Sequence, residues 1–155
     1  MNGETEGNPM ASEKNQDILL EQWKTCVEAA DGISEKRNNA NGLFITINTA
    51  LCAVITFTLE NKSMFLAIIG IIICLLWRAT IKSYKELNAV KYEIINSMEA
   101  YLPISPYSIE WKKLKENSKH KELTTIEKCI PWIFIAIYAI SILYPVIEKI
   151  IEKLS

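Results

Sequence analysis

The chain has 155 residues, half of them hydrophobic and 23% charged, with a net charge of −1. A balance this close to neutral gives no support to bulk nucleic-acid binding. The charges lie almost wholly outside three apolar blocks, so too little apolar sequence remains for a sizeable soluble core, and one compact unit is expected. The pattern is that of an all-α integral membrane protein.

Residues 1–16 are acidic, with Gly3, Gly7, Asn8 and Pro9, and lack the basic start and early apolar run of a secretory signal. They read as a disordered tail. Asp17 is a plausible N-cap for a helix in which Ile18, Gln22 and Trp23, Cys26 and Val27, Ala29 and Ala30, and Ile33 recur at three-to-four spacing. Residues 17–102 are expected to form one long helical hairpin. Its transmembrane spans are 42–59 and 64–81, joined by the turn Glu60–Asn61–Lys62–Ser63. Each apolar segment, with its flanks, can cross most of a ~30 Å hydrocarbon core at ~1.5 Å per residue.

No glycine other than Gly70 and no proline occurs in residues 63–102, so a single helix is the economical reading there, ended by Pro103. Along it Trp77, Ile81, Tyr84, Asn88, Lys91, Ile95, Met98 and Leu102 form a heptad seam with a polar interruption at Asn88 and Lys91. Folding the hairpin about Asn61 brings Asp31 level with Lys91, Arg37 with Lys85 and Phe44 with Arg78. Asp31 and Lys91 are therefore a candidate register pair, or else two solvated charges.

Polar residues in or beside the spans are the functional candidates. Gly42, Thr46, Thr49, Ala53 and Thr56 share one face of the first span, with Asn48 and Cys52 at its edge. Such a face serves close helix packing, or it lines a water-filled passage when copies assemble around an axis. Thr46, Asn48, Thr49 and Thr56 are the candidate pore-lining residues. Asn38 and Asn41 enter the first span and can form a polar ring or cap local backbone. Arg78, beside Trp77, is an interface anchor or a ring of positive charge at a pore mouth. In the second span Ala67, Gly70 and Cys74 make a smaller stripe that favours packing or lipid contact.

Residues 103–129 form a connector in which Pro103 and Pro106 stiffen the exit from the long helix. Tyr107 and Trp111 offer aromatic anchors, making this either a turn that packs back or a partner-binding loop for a cytoplasmic protein. Residues 130–147 are expected to be a third transmembrane helix, flanked by Pro131 and Pro145, or alternatively a buried or interfacial helix. Residues 148–155 are a short tail. Fourteen basic residues flank the hairpin or lie between it and the third block, against Lys62, Lys149 and Lys153 elsewhere. The positive-inside rule then puts the N-terminus and the connector in the cytoplasm.

Catalysis finds little support. His120 stands alone in a lysine-rich stretch, the four cysteines have no paired spacing, and no phosphate loop or nucleophile elbow is present. No cofactor, metal or catalytic residue is expected. The two function classes left open are a homo-oligomeric pore and a non-conducting membrane scaffold that recruits cytoplasmic proteins.

Trp77–Arg78, Ser83–Lys91, Leu102–Pro103 and Pro106–Tyr107 through Glu110–Trp111, with Trp23–Lys24, Ala30–Asp31 and Ser34–Asn41 upstream, resemble the RipA-like family of small octameric bacterial membrane proteins. The likeness covers roughly Leu20–Trp111 and leaves the third span outside it. It implies a homo-octamer in the bacterial inner membrane. It also implies kinship with accessory membrane proteins of RNA-targeting CRISPR systems, whose pores help stop phage growth. The expected partners are other copies of the chain, membrane lipid and a cytoplasmic protein trigger, with no direct nucleic acid.

Overall fold

The computed structural model describes residues 9–57, 62–116 and 123–154. Four helices occupy them: α1 (Pro9–Phe57), α2 (Lys62–Glu99), α3 (Pro106–Glu116) and α4 (Leu123–Leu154). No strand occurs among the described residues. Helices α1, α2 and α4 are each long and apolar enough to cross a membrane, the third span included.

Several boundaries differ from expectation. Helix α1 starts at Pro9, within residues 1–16, because proline suits the first helical position and no further glycine or proline appears before Gly32. Lys62 and Ser63, expected in the hairpin turn, are the first residues of α2; the rest of the turn lies outside the described residues. Helix α2 ends at Glu99, short of Pro103. Tyr101 N–H and Leu102 N–H donate to the Met98 and Glu99 carbonyls at 3.1 Å, tightening the chain into a turn before the proline is reached. Pro131 and Pro145 lie inside α4 and do not bound it. A spanning helix tolerates them because neighbouring helices and hydroxyl side chains re-satisfy freed backbone groups.

The chain divides into two compact units, not one: Met1–Ser34 with Glu86–His120, and Glu35–Lys85 with Lys121–Ser155. The physical reason is length. Helix α1 has 49 residues and α2 has 38, far more than a ~30 Å hydrocarbon core requires. A different third element completes each unit, α3 in the first and α4 in the second.

In the first unit, α3 is seated by aromatic contacts and by a buried carboxylate. Tyr107 packs against Trp23 at 6.0 Å and Tyr92 at 5.7 Å between ring centroids, both tilted. Glu99 is fully buried, and its two carboxylate oxygens accept the N–H groups of Tyr107 (3.0 Å) and Ser108 (3.1 Å). Ser105 donates its hydroxyl to the Glu99 carbonyl at 3.2 Å, and its own carbonyl accepts the Ile109 N–H at 3.0 Å. Glu99 thus supplies from the preceding helix the anionic cap that orphan donors at a helix start require, with Pro106 at the first helical position. Burial raises the Tyr107 phenol above its ordinary range, followed by the negative field of Asp31 and the neighbouring Tyr92, Glu110 and Glu99.

Candidate functional site

The second unit contains the apolar stretches of α1, α2 and α4, and a small buried polar cluster joins them. Asn48 on α1 is fully buried. Its amide N–H donates to the Phe44 carbonyl at 2.8 Å, one turn back. Its side-chain oxygen accepts the Cys74 thiol at 3.2 Å from α2 and the Tyr138 hydroxyl at 2.9 Å from α4. The same hydroxyl lies 3.2 Å from the Asn48 carbonyl. One asparagine therefore ties three helices, in a medium where water offers no alternative partner.

The seat beneath Tyr138 is made by small residues. Ala67, Gly70 and Cys74 are all buried on α2, and a Cβ at Gly70 would overlap the Tyr138 ring. Of packing and lipid contact, the two roles open to that stripe, these residues take packing. Leu51, Cys52, Ile55, Ile71, Phe134, Ile135 and Ile142 close around it.

A second layer sits toward the charged end of the spans. The Trp77 indole N–H donates to Asn41 Oδ1 at 2.8 Å, and Phe44 stacks on Trp77 with 5.6 Å between centroids and 9° between planes. Phe134 also packs against Trp77, tilted, with 6.3 Å between centroids. The Arg78 guanidinium lies 4.1 Å above the Trp132 ring, and Arg37 pairs with Glu127 at 3.6 Å, both partners largely buried. Charge, aromatic faces and one ion pair thus join α4 to the hairpin here.

The candidate residues separate cleanly on this geometry. Asn48, expected with the pore-lining threonines, is turned inward and committed to Cys74 and Tyr138, because one buried amide matches the donors that face it. Asn41, a candidate for a polar ring, is buried and bound to Trp77. Arg78, a candidate for a pore mouth, is half-buried against Trp132.

Thr46, Thr49 and Thr56 remain exposed, together with Gly42 and Ala53 on the same face and Asn38 one turn before them. The hydroxyls of Thr46 and Thr56 donate to the carbonyls four residues earlier at 2.9 Å, which lowers their cost outside water without removing their acceptor capacity. Elsewhere the outward surface of these spans is largely apolar, including Leu43, Phe57, Phe65, Ile69, Ile72 and Leu76.

In the first unit Asp31 is exposed and Lys91 half-buried. A hydrogen bond tying α1 to α2 there runs from the Asn88 amide to Ser34 Oγ at 3.1 Å. Positions 34 and 88 are equidistant from 61, as are 48 and 74, so the folding level expected about Asn61 holds in each unit. Tyr107 is absorbed into packing, Pro103 and Pro106 are exposed, and Trp111 is exposed beneath the Lys115 ammonium at 5.2 Å.

Sequence reasoning missed Tyr138 and Glu99. Tyr138, one of two tyrosines in the third apolar block, and a glutamate at a helix end were the signals available. Among the described residues no group of three His, Cys, Asp or Glu could hold a metal. His120 lies outside them.

The family model described as the octameric membrane protein family (8xMP) matches residues 20–147. The match runs on past the connector and through most of α4. A search of curated proteins found no match, and neither did a search of solved structures.

Proposed function

The chain belongs to the octameric membrane protein family, and from that membership we propose that eight copies close into a ring whose first span lines a pore through the bacterial inner membrane. One observation carries the reading. Among the described residues the Asn38–Gly42–Thr46–Thr49–Ala53–Thr56 face of α1 is exposed, whereas the other outward faces of the spans are greasy. Closed cyclic symmetry would bring eight copies of that face around one axis, and rings of polar groups set which ions pass. Glu35 is exposed and continues the same helical spacing before Asn38, so the mouth would be acidic and favour cations.

In this reading the protein is not an enzyme. Its N-terminus and α3 lie in the cytoplasm, where a protein trigger opens the ring, and the physiological outcome is membrane permeabilisation during antiphage defence. A scaffold that conducts nothing is the competing reading; it is favoured by the Thr46 and Thr56 hydroxyls being already bound to their own backbone.

Ion flux in liposomes reconstituted with the assembled octamer and its native trigger tests the choice. Thr49→Leu should cut flux severalfold while the octamer persists, and Ile72→Leu on the lipid-type face should leave flux unchanged. A correctly assembled, triggered octamer that passes no ions or small dyes rules out the pore.

A further inference from the structure

Past Arg78, helix α2 carries Lys82, Lys85, Glu86, Lys91 and Glu93 within twelve residues, a density of charge that hydrocarbon does not accept. This stretch therefore stands in water. One of its faces is occupied by the protein itself: Asn88, Ile95 and Glu99 are buried, and Lys91, Tyr92 and Met98 are half-buried. A second face, one residue earlier in sequence at each step, is not. Leu87, Val90 and Ile94 are 46%, 54% and 43% exposed, and exposed Ser97 continues the three–four spacing to the end of the helix. Two adjacent faces at heptad spacing thus run along the same helix, and among the described residues only one is filled.

We infer that this second seam, Leu87–Val90–Ile94, is the face on which a neighbouring copy of the same chain docks. The occupant follows from three observations. The family assembles eight copies, and a cyclic ring uses heterologous contacts, so each copy must offer a face beyond those spent on its own fold. Three apolar residues at three–four spacing on a helix standing in water suit packing against another helix, and α1 and α3 already cover the other seam. The flanks of the repeat carry opposite charge, Glu86 and Glu93 on one side and Lys91 on the other. In a heterologous contact the acidic flank of one copy can face a basic edge of the next, whereas identical flanks would repel. The inference rests on self-association and not on conduction.

The test uses the full-length protein in mild detergent. Val90→Glu combined with Ile94→Glu should convert the octamer seen by native mass spectrometry into smaller species, while helicity by circular dichroism and the protection of Cys74 from maleimide are kept. A photo-crosslinking residue in place of Val90 should independently give a covalent dimer of the chain in otherwise native octamers. An octamer of unchanged stoichiometry in the double variant overturns the inference, and so do adducts formed only with lipid or with a different protein. Assembled octamers that pass no ions would sink the pore reading and leave this one standing. Conducting octamers indifferent to the double variant would do the reverse.

Discussion

Tyr138 meets the hairpin through a hydroxyl and a ring, and the two contributions can be separated. The hydroxyl reaches Asn48 Oδ1 at 2.9 Å, while the ring rests on Gly70. Interhelical hydrogen bonds in membranes contribute about 0.6–2 kcal/mol, because the alternative state also finds partners. Tyr138→Phe should therefore lower stability by about 1 kcal/mol, read from reversible unfolding in mixed micelles, with the ring still seated. Gly70→Ala should cost more, about 1–3 kcal/mol as for an overpacked core, since a methyl group and the ring compete for one space. It should also speed maleimide labelling of buried Cys74, which Tyr138→Phe should alter less. Equal effects of the two substitutions would mean that the ring's seat contributes nothing beyond the hydroxyl.

Helix α3 shows how one element can depend on a residue outside it. Its short sequence has little stability of its own, since isolated helices under about a dozen residues are marginal in water. Glu99 supplies the missing cap with both oxygens, and the Trp23–Tyr107–Tyr92 cluster holds the helix down. Glu99→Gln keeps one acceptor and loses the other together with the negative charge. The expected loss is about 1–2 kcal/mol, seen as faster tryptic cleavage after Lys112 and Lys113 while cleavage elsewhere is unchanged. An unaltered cleavage pattern would show that the aromatic cluster alone suffices. Helix α4 illustrates the opposite case: it carries two internal prolines, and its hold on the hairpin comes from Tyr138, Phe134, Trp132 and Glu127.

For the molecule in its membrane, topology is the first quantity to measure. The excess of basic residues before the hairpin and between it and α4 predicts the hairpin turn outside and the N-terminal region inside. In a background with Cys26 and Cys129 replaced by serine, Lys62→Cys should react with an impermeant maleimide in intact cells. Lys24→Cys and Lys112→Cys should react only after permeabilisation. The reverse pattern would invert the protein and move Glu35 and Asn38 to the outer mouth. Ion preference follows from the same geometry: Glu35→Lys should shift the reversal potential of the reconstituted ring toward anions, whereas Arg78→Gln, with its guanidinium over Trp132, should shift it little.

The one-dimensional pattern of apolar and charged residues determined that the fold is all-α, that three segments can cross a membrane, and that the first two pair with position 34 level with 88 and 48 level with 74. These follow from local physics: a hydrocarbon core demands long apolar helices with internally paired backbone, and a short turn forces equal sequence distances onto one level. The grouping of the threonines on one face and the heptad seam were legible for the same reason, since period and polarity are read along one helix. What one helix cannot tell is which of its faces a partner will take. Only the tertiary structure turned Asn48 and Asn41 inward while leaving Asn38 and the threonines out, because that choice depends on where Cys74, Trp77 and Tyr138 bring their donors. It likewise turned Glu99 from a surface charge into a buried cap, and revealed a second seam at Leu87–Val90–Ile94 that the protomer does not fill. A hydrogen bond or a filled seam belongs to two elements at once, and sequence periodicity describes them one at a time.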